Sequence, residues 1–169
     1  MSNKNFQIYF DCGFSKIRAG AFDRDNSNKF FFTESKFFLD HTDMDSEIKK
    51  IITFLEKNTN EYVNDVNLMI DSPKVLSIGI SVSKKIDRSK LIQEDVKFLI
   101  QEAKQQILKN YNDQNIVHII INNYKVNDND YDQLPDEIKC NFISLDILFI
   151  CLPNEIIEYF KRFFHKLDI

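Results

Sequence analysis

Glycine and proline are scarce, at three residues each in a chain of 169, and tryptophan is absent. Backbone that must approach a ligand closely therefore has only three glycines to use, Gly13, Gly20 and Gly79. With 43% hydrophobic and 28% charged residues the composition excludes a disordered chain and predicts a folded one. The length suits one ordinary domain or two small ones, which bury roughly 70% of the unfolded surface at this size. Cysteine is also sparse. Cys12, Cys140 and Cys151 are odd in number, lie in apolar runs and show neither CxxC nor Cys/His metal spacing, so they read as reduced core residues of a cytoplasmic protein. The net charge of −4 comes from interleaved acidic and basic residues, which leaves no basic face for a phosphate backbone and predicts no nucleic-acid partner. No apolar run approaches the roughly 18 residues that span a bilayer. The first ten residues lack the basic segment, apolar stretch and cleavage site of a secretion signal, so the expectation is a protein neither secreted nor transmembrane.

What is present is alternation and helical periodicity. Residues 6–10, 17–22 and 29–39 read as a meander of three strands, separated by Gly13 and by the turn-rich residues 23–28. Asp43 or Asp45 is placed to cap a helix whose apolar positions Ile48, Ile51, Ile52 and Leu55 share one face, and residues 66–70 return as a strand. Ser72-Pro73 breaks the pattern. Leu76, Ile78, Ile80 and Val82 then alternate with Ser77, Gly79, Ser81 and Ser83, the period of a strand with one wet face. Glu94 and Asp95 open a helix with buried stripe Val96, Leu99, Ile100, Ala103 and Ile107. Residues 116–121 form a short apolar strand, 127–136 a polar connection and 138–152 a longer β-prone run. A last helix follows Pro153, with Ile157, Phe160, Phe164 and Leu167 on one face. The division expected is 1–74 and 75–169.

The stretch from Asp11 to Gly20 carries the most chemistry. It sets a carboxylate and a glycine at a sharp turn between strands. Gly13 lets backbone amides approach an anion, Ser15 lies within the turn, Lys16 adds positive charge, and Asp11 is able to orient a hydrated Mg²⁺. The plain alternative is a hairpin turn with a solvated carboxylate. No Ser/His/Asp or Cys/His constellation is identifiable. His118, in an apolar strand, reads as a packed residue without chemistry, and His41 and His165 have no partner in sequence. Phe30, Phe31 and Phe32, with Phe37 and Phe38, must put rings on both faces of their sheet, where they need a second layer or a partner.

Read together, Asp11-Cys12-Gly13-Phe14-Ser15-Lys16, then Ile92-Gln93-Glu94-Asp95-Val96, then HIIINNYKVND from His118 to Asp128 resemble, in the same order, three segments of the bacterial cell-division protein family FtsA. The resemblance implies an α+β chain: part of an actin-like (RNase H-like) sheet with its helix, over 1–74, then a strand-helix-strand-strand insert, the family's 1C subdomain, over 75–169. It implies a cell-division scaffold, cytoplasmic at the inner face of the membrane or septum, that self-associates through actin-like filament contacts. FtsZ and late division proteins are partners of the intact family protein, and ATP with Mg²⁺ is its cofactor. The partial phosphate loop would be Asp11, Gly13, Ser15 and Lys16. Phe14 stands where the family has Thr, and the second phosphate loop and adenosine segment belong to the other half of that fold. The expectation is therefore a non-enzyme with no cofactor of its own. The two rivals are a pilus-assembly type of actin-like scaffold and a small phosphate-binding enzyme of the same superfamily. The last helix sets Phe160, Phe163 and Phe164 beside Lys161, Arg162 and Lys166, like a basic aromatic helix on anionic lipid. Glu155, Glu158 and Asp168 dilute that charge, so the helix is expected to cover the sheet of the second unit rather than anchor to membrane.

Overall fold

A computed structural model describes residues 5–13, 16–26, 29–36, 41–86, 93–135 and 139–169. The chain is α+β, as expected: among the described residues there are three helices and two four-stranded sheets, one mixed with a parallel pair and one antiparallel. It divides into two compact units, Met1–Pro73 with Tyr159–Ile169, and Lys74–Glu158. Among the described residues no helix is long and apolar enough to cross a membrane.

The first unit opens with a meander of β1 (Phe6–Cys12), β2 (Lys16–Asp23) and β3 (Phe30–Lys36). Helix α1 (His41–Thr59) then leads to β4 (Asn67–Ile70), which lies parallel to β1, giving the sheet order β3-β2-β1-β4. Strict alternation in β1 and β2 sends Phe6, Ile8, Phe10, Cys12, Ile17, Ala19 and Ala21 to one face, where they are buried. The small Ala19 and Ala21 let α1 lie close on β2, with Ile48, Ile51, Ile52 and Leu55 as its buried stripe. The β2–β3 turn is held by Asp23, whose carboxylate accepts the amides of Asp25 and Asn26 at 2.9 and 3.2 Å. Those amides, the Asp25 bond foremost, hold the Asp23 carboxyl below its ordinary range.

In the second unit β5 (Leu76–Lys85) is followed by α2 (Gln93–Asn110), β6 (Gln114–Val126), β7 (Asn129–Tyr131) and β8 (Phe142–Pro153). The order β5-β8-β6-β7 is antiparallel throughout. Leu99, Ala103 and Ile107 of α2 pack on Val82, Leu145, Ile147 and Phe149 of the inner sheet face. The last helix, α3, is Asn154–His165, and the boundary between the units falls within it.

Several expectations are corrected. Residues 127–136, read as a polar connection, contain β7, because the turn at Asn127, with φ of 53°, folds the chain back on β6. The Asn127 side chain also donates to the Lys139 carbonyl and accepts the Asn141 amide, at 3.1 and 3.0 Å. β6 runs over 13 residues, well beyond 116–121, its polar end recruited by pairing with β8 and β7. Asp45 does not cap α1: it lies inside the helix and accepts the Tyr159 hydroxyl. The rings of α3, expected to cover the second sheet, belong to the first unit. Phe164 packs edge-on against Phe10 of β1 at 5.9 Å, and Phe160, Phe163 and Phe164 are each buried. Phe37, Phe38, Ile92 and the side chains of His41 and Asp43 lie outside the described residues.

Candidate functional site

The turn after β1 holds the residues that the sequence marks for phosphate chemistry. Ser15 and its neighbour Phe14 lie outside the described residues. Gly13 donates its amide to the Lys16 carbonyl at 3.0 Å, closing the hairpin. Its φ is not positive, and an added Cβ would meet the Lys16 carbonyl oxygen at 3.2 Å, so close backbone approach, not left-handed geometry, favours glycine here. The amide that an anion would use is thus engaged within the turn.

The two charged members are also paired. Asp11 lies opposite Arg18 in the β1–β2 register, and the two form an ion pair. Lys16 reaches Glu34 of β3 at 3.1 Å, and Glu34 is itself the register partner of Arg18. Asp11, Arg18, Glu34 and Lys16 therefore form a ladder of alternating charge across three strands on the outer sheet face. Direct cross-strand pairs of opposite sign contribute roughly 0.2–1 kcal/mol each. Among the described residues of the turn, the carboxylate faces a guanidinium and the ammonium a carboxylate.

Arg18 and Glu34 were not singled out from sequence. The signal available was period two: Lys16 and Arg18 flank Ile17, so both must leave the face that Ile17 buries. On the core side of the same strands, Cys12 is buried, and burial first, with the Asp11 charge second, pushes its thiol up to about 12. Such a thiol is not a nucleophile near neutral pH.

Above the ladder the outer face is aromatic. The Phe22 ring meets Tyr9 edge-on at 5.7 Å and stacks on Phe30 at 6.0 Å, and it covers Gly20, where an added Cβ would come within 2.7 Å of it. Phe30 and Phe32 are more than half exposed, while Phe31 turns inward against Phe6 at 5.9 Å. This is the two-faced distribution expected of the phenylalanine run. A separate hollow lined by Phe6, Ile8, Thr59, Tyr62 and Val63 holds about 10 Å³, room for one water and far too little for a nucleotide.

In the second unit, His118 is exposed on the outer sheet face rather than packed, because its register partner Ile150 alternates away from the core. Ser81 donates to Asp146 on that face, and Asp146 is the register partner of Asn123 rather than of His118, so no Ser/His/Asp relay forms there. Scanning protein-family models and curated proteins finds no family model that matches the chain and no curated protein that matches it significantly.

Proposed function

We propose that the chain is a non-catalytic scaffold of the FtsA-like, actin-like kind, acting in cell division. The observation that carries this reading is the path of the chain. A meander, a helix and a parallel strand are followed by a unit of a strand, a helix and three strands, β7 being one strand more than the expected insert has, after which residues 159–169 rejoin the first unit. That is the pattern of an inserted subdomain, and the resemblance implies such an insert, 1C, within the actin-like subdomain 1A. On this reading the insert closes near Glu158, and the aromatic half of α3 belongs to 1A.

The non-enzyme half of the proposal rests on the turn itself. Its amide, carboxylate and ammonium are each turned to partners within the sheet, which supports a structural hairpin over a phosphate loop. ATP with Mg²⁺ stays a property of the intact family protein, and so do FtsZ and the late division proteins as partners.

Imaging a tagged full chain in dividing bacterial cells, with co-purification under crosslinking, tests the reading. Septal enrichment with division-ring proteins is the expected result. Enrichment with pilus-assembly proteins would move the chain to the other scaffold class, and ATP turnover by the purified chain would replace both.

A further inference from the structure

β5 is bonded to β8 along one side and, among the described residues, to no strand along the other. An open edge presents a row of backbone donors and acceptors that invites another strand, and folded proteins usually blunt it with a bulge, a proline, an inward charge or a short strand. β5 has none of these from Leu76 to Ser83. Its register with β8 runs without a shift, and that stretch holds no proline and no charged residue. The opposite edge of the same sheet is managed: β7 is only three residues long, carries Asp130, and pairs with a β6 whose register against β8 shifts twice. One edge is interrupted, by β7 over Tyr124–Val126 and by the two shifts along the rest of β6, and the other is regular and open.

The side chains say what fits. Leu76, Ile78 and Ile80 point to the core side but are only partly buried there, while Ser77, Gly79, Ser81 and Ser83 on the outer side are small. We propose that β5 is a self-pairing edge, at which two copies of this chain join β5 to β5 antiparallel about a two-fold axis and extend both sheets into one. A two-fold interface must be self-complementary, and directly opposite residues of an antiparallel pair share a face. With the axis at Gly79, Leu76 meets the other copy's Val82, Ile78 meets its Ile80, and Ser77 meets its Ser81. From Leu76 to Val82 every inward aliphatic then opposes an aliphatic and every outward residue a small one, while Lys74 and Lys84, which face each other beyond that stretch, are each paired within their own subunit, to Glu155 and Asp95. Moving the axis to Ile78 sets Val82 against Lys74, and moving it to Ile80 sets Leu76 against Lys84. Of these registers only the one at Gly79 keeps every inward aliphatic from Leu76 to Val82 against another. Gly79 at the axis has no atom within 4 Å of where a Cβ would stand, so substitution there leaves the subunit fold undisturbed. This inference goes beyond the scaffold reading and does not depend on it.

Sedimentation velocity on the full chain tests it. The wild type is expected at twice the 20.0 kDa chain mass. Gly79→Lys and Gly79→Glu should each sediment as monomers with unchanged circular dichroism, since like charges would face across the axis, and mixing the two should restore the dimer. Gly79→Cys should crosslink to a disulfide dimer on mild oxidation. Opposed residues lie about 4.5–5.5 Å apart between Cα atoms, within the roughly 4.4–6.8 Å a disulfide spans, and the three native cysteines are buried. A monomeric wild type overturns the proposal, even if β5 then proves to capture an extended peptide of another protein. So does a dimer that survives Gly79→Lys, or one that forms without crosslinking through Gly79→Cys.

Discussion

Asp11 and Arg18 face each other across the β1–β2 pair in direct register, and their ion pair lies on the outer face of the sheet, partly open to solvent. Pairs this exposed contribute about 0–1 kcal/mol. Asp11→Asn should therefore lower stability by less than about 1 kcal/mol in urea denaturation. Calorimetry of the purified chain should find no tight Mg·ATP binding and no turnover, with or without the substitution. Micromolar binding that Asp11→Ala abolished would reinstate the turn as a phosphate loop.

The rings of α3 give a second expectation. Phe160, Phe163 and Phe164 are 6–7% exposed, so their apolar surface is already committed to the fold. Phe164→Ala should cost about 3–5 kcal/mol, and Phe160→Asp should unfold the first unit. The intact chain should not co-sediment with anionic vesicles at physiological salt. Salt-sensitive binding, lost in Phe163→Asp while the circular dichroism stays native, would make this helix a membrane contact instead.

Asp95 is 1% exposed in the first turn of α2, and Lys84 of β5 reaches it at 3.1 Å while lying 4.5 Å above the Phe98 ring. Removing Lys84 leaves a buried carboxylate uncompensated, which costs about 3–5 kcal/mol. Lys84→Met should lower the urea midpoint by a corresponding amount, and a double-mutant cycle with Asp95→Ala should show coupling. Additive effects of the two substitutions would mean that the pair is not what fixes α2 to β5.

Alkali should destabilise the first unit. The Cys12 thiol is raised by burial from its ordinary value of 9.0 to about 12. The Tyr159 hydroxyl is raised by burial and then by its bond to Asp45. Both groups stay protonated in the fold at a pH where the unfolded chain has released its proton. Stability is thus full below about pH 9 and falls as pH rises above it. Urea titrations at rising pH should show that fall, and Cys12→Ala should flatten its first part. A flat profile from neutral to strongly alkaline pH would place these two side chains in water.

Much of the fold was legible because its signal is local. The alternation of Phe6, Ile8 and Phe10, or of Leu76, Ile78 and Ile80, marks a strand without reference to any other part of the chain, and the spacing of Ile48, Ile51, Ile52 and Leu55 marks a helix face in the same way. The site was legible only as a set of residue types at a turn. What those residues do depends on register, since Arg18 neutralises Asp11 only because seven consecutive pairs align β1 with β2.

By itself, then, the amino-acid order determined the strand and helix periods, the break at Ser72-Pro73, the buried cysteines and the position of the turn. Tertiary structure alone decided the rest. A polar segment such as residues 129–131 becomes strand only when a neighbour offers hydrogen bonds. The face of α3 is equally apolar whatever it covers, so only the packing of Phe164 on Phe10 assigns it to the first unit. Asp95 reads from sequence only as a first-turn carboxylate that the helix dipole favours, yet it is buried, and Lys84, 11 residues away along the chain, folds back to meet it. In each case the deciding partner lies outside the segment itself, and the periodicity of a segment carries no information about what it will pair with.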